Sequence, residues 1–252
     1  MTSSESLERQ TAELKEAHKR SPITDHFKEV IYGGTDGIIT TFAVVAGFSG
    51  AALGGDTSTQ LSFSIMLLFG LANLFADATS MGLGNFLSVR SEHDLYHVKR
   101  TKEQSLLQND TDAEVLETVL ILEHKGFTKA DATTIANLYR HNEEYWLDFM
   151  MTHELELSDP RRENPLYTGL ATFCSFVIFG TVPLIPFIFL SSAEASQVFA
   201  LSLVGTFTAL IILGLLKWRI IGARLSHSLF EVVLVGGMAA AIAYTIGTFF
   251  SI

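Results

Sequence analysis

The stretch LYTGLATFCSFVIFGTVPLIPFIFL, residues 166–190, decides the fold class because it contains no Asp, Glu, Lys or Arg. A helix rises about 1.5 Å per residue, so such a run is long enough to cross the ~30 Å hydrocarbon core of a membrane. Four similar runs occur elsewhere, and together they predict an all-α, polytopic membrane protein with five transmembrane helices. The predicted spans are residues 31–53, 61–89, 166–190, 198–216 and 229–250.

Charged residues are segregated from these runs, although the whole chain has an ordinary 48% of hydrophobic and 17% of charged residues. All 17 Lys and Arg residues fall on one side of a five-span topology. The positive-inside rule therefore places the N-terminus and the long connection after the second span in the cytoplasm. The formal net charge of −10 argues against nucleic acid as a partner. The predicted domains are an N-terminal cytoplasmic helix (1–30), spans 1 and 2 (31–90), a cytoplasmic helical insertion (91–164) and spans 3 to 5 (165–252).

The insertion is acidic, with 16 acids and 8 bases and hence a local charge of 8 − 16 = −8. Its pattern predicts a series of short helices, one of which has Asp112 as its N-cap and Gly126 as its stop signal. Apolar residues at helical spacing predict a small core shared between these helices. The predicted core residues are Leu116, Val119, Leu120, Leu122, Ile135, Leu138, Trp146, Leu147 and Phe149.

Small residues and prolines predict how the spans pack. Gly and Ala crowd the first two spans and indicate close helix contacts, either within one subunit or between subunits. Pro183 and Pro186 remove backbone donors from the third span and predict a kink there. The one cysteine, Cys174, lies in the same apolar run and is expected to be a packed core thiol.

Two aspartates interrupt the charge-poor spans, Asp36 in the first and Asp77 in the second. A charge there costs ~2.5–3.5 kcal/mol on insertion scales, so these residues are candidates for an ion pathway. Asn73 and Met81 lie one turn before and after Asp77, so an amide, a carboxylate and a thioether share one helical stripe that suits a transition metal. The alternatives are an interfacial helix cap for Asp36, a structural hydrogen bond for Asp77 and plain core packing for Met81.

Carboxylates and sulfurs also recur at helical spacing in the insertion. Ligands from several helices that face one another can bind a divalent transition metal, because anionic oxygens offset the hydration that the ion loses. The alternative is a solvated acidic face. The candidate metal ligands are Glu103, Glu114, Glu117, Met150, Met151 and Glu154.

Histidines beside the second span provide a weaker signal. His93 and His97 are four residues apart and resemble a metal-ligand pair, but no third motif element accompanies them, and juxtamembrane polarity is the better explanation. A membrane di-iron oxidase would need Glu-x-x-His motifs on facing helices, and Asp94 with His97 is a single imperfect copy. No phosphate loop, nucleophile elbow or paired-cysteine zinc motif occurs in the sequence, so it does not indicate an ordinary soluble enzyme.

Four motifs together resemble the vacuolar iron transporter family, also known as the calcium-sensitive cross-complementer family. They are DGIITTFAVVAGFSGA, ADATSMGLGNFLSVRSEHD, YWLDFMMTHELEL and VPLIPF, and the likeness runs from about His26 to the end of the chain. The resemblance implies a homodimeric transporter, not an enzyme, that moves Fe²⁺ and related divalent ions out of the cytosol in exchange for protons. The metal is then the substrate, no cofactor is implied, and the pathway lies at the subunit interface.

The resemblance also assigns residues. It implies that Asp36 and Met81 lie on the membrane pathway and that the insertion binds metal through Glu103, Glu114, Glu117, Met150, Met151 and Glu154. This chain departs from the family at two positions, where Asn73 and Leu106 replace glutamates, and Asp77 or His97 could compensate.

The sequence does not determine which membrane contains the protein, and it leaves one alternative function open. The motif wording resembles bacterial members, which implies the plasma membrane, whereas a eukaryotic member implies the vacuolar membrane. A membrane-anchored metal sensor or storage module without transport is the main alternative to a transporter.

Overall fold

The computed structural model describes residues 26–52, 59–190, 194–222 and 225–249, and these residues contain helices and no β-strand. The predicted N-terminal helix falls almost entirely outside the described residues. Nine α-helices are described: α1 Phe27–Ala52, α2 Thr59–Asn109, α3 Thr111–His124, α4 Lys129–Tyr139, α5 Glu143–His153, α6 Pro165–Thr181, α7 Ile185–Phe189, α8 Ala195–Ile221 and α9 Leu225–Phe249.

Five helical segments are long and apolar enough to cross a membrane: Phe27–Gly50, Phe63–Asn109, Pro165–Phe189, Ala195–Ile221 and Leu229–Phe249. The predicted all-α, five-span class is therefore confirmed. The second segment exceeds a bilayer because α2 continues for 51 residues, well past its apolar part, which ends near Val89.

The chain divides into two compact units, one formed by Met1–Gly84 with Tyr167–Ile252 and the other by Asn85–Leu166. Here the first is called the spanning unit and the second the insertion unit. Helix α2 passes without a break through the predicted domain boundary at residues 90 and 91. The cytoplasmic position of the insertion unit stays a prediction.

Glycines hold α1 tightly against α6 and α9 within the spanning unit. A Cβ added to Gly37 would lie 2.4 Å from the carbonyl oxygen of Phe176, and one added to Gly247 would lie 2.1 Å from that of Gly47. Only glycine permits such approaches, so the small residues of the first span serve close contacts within one chain. Ser175 adds a hydrogen bond across α1 and α6, because its hydroxyl donates to the carbonyl of Val30 at 2.7 Å.

The third span is interrupted where its prolines predict a kink. Helix α6 ends at Thr181, a 3₁₀ turn follows at Val182–Leu184, and α7 begins at Ile185. Cys174 corrects the sequence prediction, since it is exposed on α6 and is not a packed core thiol. The side of α6 that carries Phe176 and the other buried residues packs against the rest of the unit, and Cys174 is not among these buried residues.

The short helices of the insertion unit begin and end largely where polar residues and glycine allow. Asp112 is not the N-cap of α3, because Asp110 occupies that position and Asp112 lies in the first turn. Gly126 stops α3 as predicted, with a φ of +100° that glycine adopts without strain. The side chains of Thr128 and Asn142 cap α4 and α5 by accepting hydrogen bonds from backbone N–H groups.

The core of the insertion unit contains only part of the predicted set. Four members of that set are buried and two are partly buried, whereas Leu116, Leu120 and Leu138 are 60%, 57% and 61% exposed. Their prediction as core residues is wrong, because α3 turns the face of Glu114 and Thr118 inward. On α4, Ala132 and Ala136 are buried and Leu138 is not. The buried members are Val119, Leu122, Trp146 and Leu147, and the partly buried ones are Ile135 and Phe149.

Candidate metal-binding sites

Three glutamates from three parts of the insertion unit meet in one cluster. Glu103 comes from α2, Glu114 from α3 and Glu154 from the C-cap of α5, and one carboxylate oxygen of each lies within 4.8 Å of the others. Glu103 and Glu114 are 3% and 5% exposed, so this is an interior cluster and not a solvated acidic face. We call it the carboxylate cluster.

Each glutamate of the carboxylate cluster lies one helical turn from a residue buried in the unit. Leu107, Thr118 and Met150 occupy these positions on α2, α3 and α5. The Thr118 hydroxyl contacts the Met150 sulfur at 3.4 Å and accepts a hydrogen bond from the Trp146 indole N–H at 2.7 Å. These buried contacts fix α3 against α5 and thereby hold Glu114 and Glu154 near each other.

Each member of the carboxylate cluster retains one buried oxygen without a hydrogen-bond partner among the described residues. These atoms are Oε1 of Glu103, Oε2 of Glu114 and Oε2 of Glu154. A buried polar atom left unpaired costs ~1–3 kcal/mol, and more when it is charged. A divalent cation would supply a partner for all three oxygens and offset their mutual repulsion.

Protons can take part of that role, because the pKa values of all three carboxyl groups are raised. Burial, followed by repulsion from Glu154 and Glu114, raises the pKa of Glu103 to about 8. Burial also raises the pKa values of Glu114 and Glu154, together with repulsion from Glu117. Hydrogen bonding within the cluster raises the pKa of Glu103 and lowers those of its two neighbours, so a proton on Glu103 would be donated to one of the two neighbouring carboxylates at a time.

The other sequence candidates in the insertion unit lie outside this group of oxygens. Glu117 is exposed and acts on Glu114 and Glu154 through its charge. Met150 and Met151 are fully buried in the unit's hydrophobic core. Leu106, where the resemblance implies a glutamate, is 38% exposed. Their roles as ligands stay predictions.

The histidine pair gains no support as a metal site. The Nε2 atom of His93 lies 3.1 Å from the carbonyl oxygen of Glu163, a contact within the insertion unit. His97 is exposed, and neither histidine belongs to the group of clustered ligand atoms found among the described residues.

The intramembrane candidates lie on α1 and α2 of the spanning unit. Asp36 and Asp77 are both partly buried. The Asn73 amide donates a hydrogen bond of 2.7 Å to Oδ2 of Asp77, so Asn73 supports the carboxylate one turn away. Met81 is partly buried and packs against the hydrophobic core of the spanning unit.

Sequence analysis missed one buried carboxylate in the spanning unit. Glu29 lies seven residues before Asp36 on α1, is 7% exposed and has an unpartnered Oε2 atom. Residues seven apart share a helical face, so Glu29 lies two turns from Asp36 on the same stripe. Its position just outside the first predicted span hid this relation, although the seven-residue spacing could have revealed it.

These observations define an integral, multi-pass membrane protein of helices with carboxylates clustered in a helical insertion. The profile of the VIT family matches residues 27–248, and the chain belongs to this family. It is 35% identical over 245 residues to the vacuolar iron transporter of Toxoplasma gondii, covering 94% of this chain and 78% of that protein. It is 32% identical over 241 residues to vacuolar iron transporter 1 of Arabidopsis thaliana, covering 95% and 92%.

Proposed function

We propose that this protein transports Fe²⁺ and related divalent ions such as Mn²⁺, Co²⁺ and Zn²⁺ out of the cytosol in exchange for protons. The observation that carries the proposal is the carboxylate cluster of Glu103, Glu114 and Glu154, whose buried oxygens lack partners. Membership of the VIT family and the names of its relatives favour transport of iron across a membrane.

The first proposed step is capture of the ion by the insertion unit. The carboxylate cluster supplies three hard oxygen ligands, and Glu117 adds negative charge nearby. Met150 and Met151 provide soft sulfur on α5, which would favour iron over magnesium or calcium if either side chain turned toward the ion. Binding displaces the proton of Glu103, because the metal needs the carboxylate form.

The second proposed step is passage through the spans past Asp36 and Asp77, with Met81 as a sulfur ligand. Two carboxylates can hold a divalent cation in a medium where an isolated charge is costly. Protonation of Asp36 from the far side removes its negative charge and weakens its hold on the ion. Asn73, which replaces the family glutamate, donates a hydrogen bond that orients the Asp77 carboxylate toward the ion.

The proposed assembly is a homodimer in which Asp36 of each subunit faces a shared pathway. The proposed topology has the N-terminus and the insertion unit in the cytoplasm, because all 17 Lys and Arg residues fall on that side of five spans. The vacuolar membrane is the location that fits the names of the relatives. The sequence motifs instead favour a plasma membrane, as in bacterial members.

Proteoliposomes with an imposed pH gradient test the transport proposal. The wild type should move Fe²⁺ in a manner that depends on the gradient, whereas Asp36→Asn should reduce flux to the background of empty vesicles. Asp94→Asn is a matched control, because Asp94 is exposed and lies outside both candidate sites. Flux through Asp36→Asn equal to wild type would refute the assigned pathway.

A membrane-anchored sensor or storage module is the second candidate function. The buried carboxylate cluster favours this function, because a metal ion could bind there without passing through the spans. It predicts binding of Fe²⁺, Mn²⁺, Co²⁺ or Zn²⁺ that depends on Glu103, with no flux of any of the four. Flux of one ion by the wild type excludes this function.

A further inference from the structure

A groove of about 400 Å³ opens on the spanning unit between α1, α8 and α9. Its α1 wall extends from Phe27 to Thr35, and Lys217, Glu231 and Val235 complete it. The volume lies within the ~300–1,000 Å³ that is usual for small-molecule sites. The groove shares no residue with the carboxylate cluster or with the proposed pathway.

Most of the groove surface is apolar, and its charges lie toward one end of the bundle. Ile31, Tyr32 and Val235 supply apolar wall, and Tyr32 and Val235 are 63% and 46% exposed. Lys28 lies in the first turn of α1, and Lys217 lies in the last two turns of α8. The groove therefore has an apolar body and a charged mouth, which is the polarity of a phospholipid.

The charge of the mouth is uneven. The ammonium group of Lys217 pairs with Oε2 of Glu231 at 2.6 Å, so these two charges offset each other. Lys28 is exposed and forms no ion pair within the part of the chain that is described. The groove lining thus carries one excess positive charge, which complements a ligand with a net charge of −1.

The position of the groove along the predicted spans also fits a lipid ligand. Lys28 precedes the first predicted span by three residues, and Lys217 follows the fourth by one, so the mouth lies where hydrocarbon gives way to water. Tyr32 suits this level, because tyrosine is enriched at membrane interfaces, where its ring stays apolar and its hydroxyl stays wet. Basic pockets between transmembrane helices bind anionic headgroups on the cytoplasmic side, which is the proposed side of this mouth.

We propose that this groove binds one anionic phospholipid, with its phosphate at Lys28 and the upper part of an acyl chain along Ile31, Tyr32 and Val235. The lipid would brace the first two turns of α1, which lead to Asp36. The binding itself does not depend on transport, so it can be measured whether or not the proposed function holds.

The test compares phosphatidylglycerol with phosphatidylcholine of the same acyl chains, bound to the full-length protein. The protein is freed of native lipid in detergent, supplied with an equimolar mixture of the two lipids, washed, and examined by native mass spectrometry. The wild type should retain phosphatidylglycerol in preference to phosphatidylcholine. Lys28→Gln should reduce that preference about five-fold, the effect of removing one basic residue near a membrane surface.

Glu231→Gln should change the preference in the opposite direction. It removes the partner of Lys217 and leaves a second cation at the mouth, so the preference should rise about five-fold. This variant keeps the test decisive if Lys28→Gln fails to fold. Lys125→Gln is the matched control, because Lys125 is an exposed lysine of the insertion unit and its loss should leave the preference unchanged.

A substitution that changes the shape of the groove distinguishes lipid binding in the groove from a general effect of surface charge. Val235→Trp fills the apolar body and should reduce retention of both lipids at the site while the basic residues stay in place. Equal retention of the two lipids by the wild type, or wild-type preference in Lys28→Gln and Glu231→Gln, would overturn the proposal. A change in oligomeric state with Val235→Trp, without loss of lipid, would show that a second copy covers the groove and would also overturn it.

Discussion

In the proposed function, Glu103 holds the proton that a metal ion would displace. Its pKa is raised to about 8 by burial and by two neighbouring carboxylates, whereas an unperturbed glutamate is ionised above pH 4.5. An ion that displaces one proton should bind about ten-fold more tightly for each pH unit up to about 8. Calorimetry with Mn²⁺ at pH 6, 7 and 8 measures this slope.

Substitution of Glu103 separates proton displacement from other effects of pH. Glu103→Gln should weaken Mn²⁺ binding and flatten its pH dependence, because the replaced side chain cannot titrate. Glu144→Gln should retain the wild-type slope, since Glu144 is exposed on α5 and outside the carboxylate cluster. An unchanged slope in Glu103→Gln would show that another group releases the proton.

In the proposed pathway, Asn73 is a positioning residue that acts through Asp77. Asn73→Ala removes the 2.7 Å hydrogen bond to the Asp77 carboxylate, a bond to a charged group worth ~1.5–3 kcal/mol. Iron flux in proteoliposomes should then fall about ten-fold or more. Thr79→Ala is the control on the same helix, because that hydroxyl only donates to the carbonyl of Phe75. Equal losses in both variants would mean a general disturbance of α2.

At the scale of elements, glycine decides how closely α1 and α6 pack. Gly37→Ala would place a Cβ atom 2.4 Å from a backbone oxygen of α6, which cannot rotate away. Overpacking of this kind costs ~1–3 kcal/mol, so thermal unfolding in detergent should occur at a lower temperature. Gly84→Ala is the matched control, since nothing lies within 4 Å of its added Cβ, and it should unfold no earlier than wild type.

Local chemistry also determines which elements could be predicted. The break at Val182–Leu184 follows from proline itself, and Gly126 ends α3 because its backbone adopts a positive φ. The start of α3 was misplaced because two aspartates, Asp110 and Asp112, are both acceptable caps by composition. Only the tertiary arrangement selects between them.

The inward face of α3 could not be predicted from hydrophobicity. Leu116 and Leu120 are the more apolar residues, yet Glu114 and Thr118 are buried in their place. The inward carboxylate of Glu114 meets Glu103 and Glu154, which come from distant parts of the chain, so this contact depends on the tertiary structure. Sequence could therefore nominate these three glutamates, but it could not separate them from exposed Glu117.

For the whole molecule, division into two units allows one of them to be observed separately. The chain contains two tryptophans, of which Trp146 is 2% exposed in the core of the insertion unit and Trp218 belongs to α8. A Trp218→Phe variant leaves Trp146 as the only reporter. Its fluorescence follows unfolding of the insertion unit, whereas total helical signal follows both units.

Stability of the insertion unit should respond to pH in opposite directions with and without metal. Between pH 4.5 and about 8 the folded unit binds a proton at Glu103 that the unfolded chain does not, so its free energy of unfolding should fall as pH rises through that range. In the proposed function, excess Zn²⁺ would bind the folded carboxylate form, and this stabilisation would grow as protons leave. Urea titrations of Trp218→Phe at pH 5.5, 6.5 and 7.5 should therefore give falling midpoints without Zn²⁺ and rising midpoints with it. Glu103→Gln should lower both slopes, and parallel slopes in the wild type would show that the cluster does not exchange protons for metal.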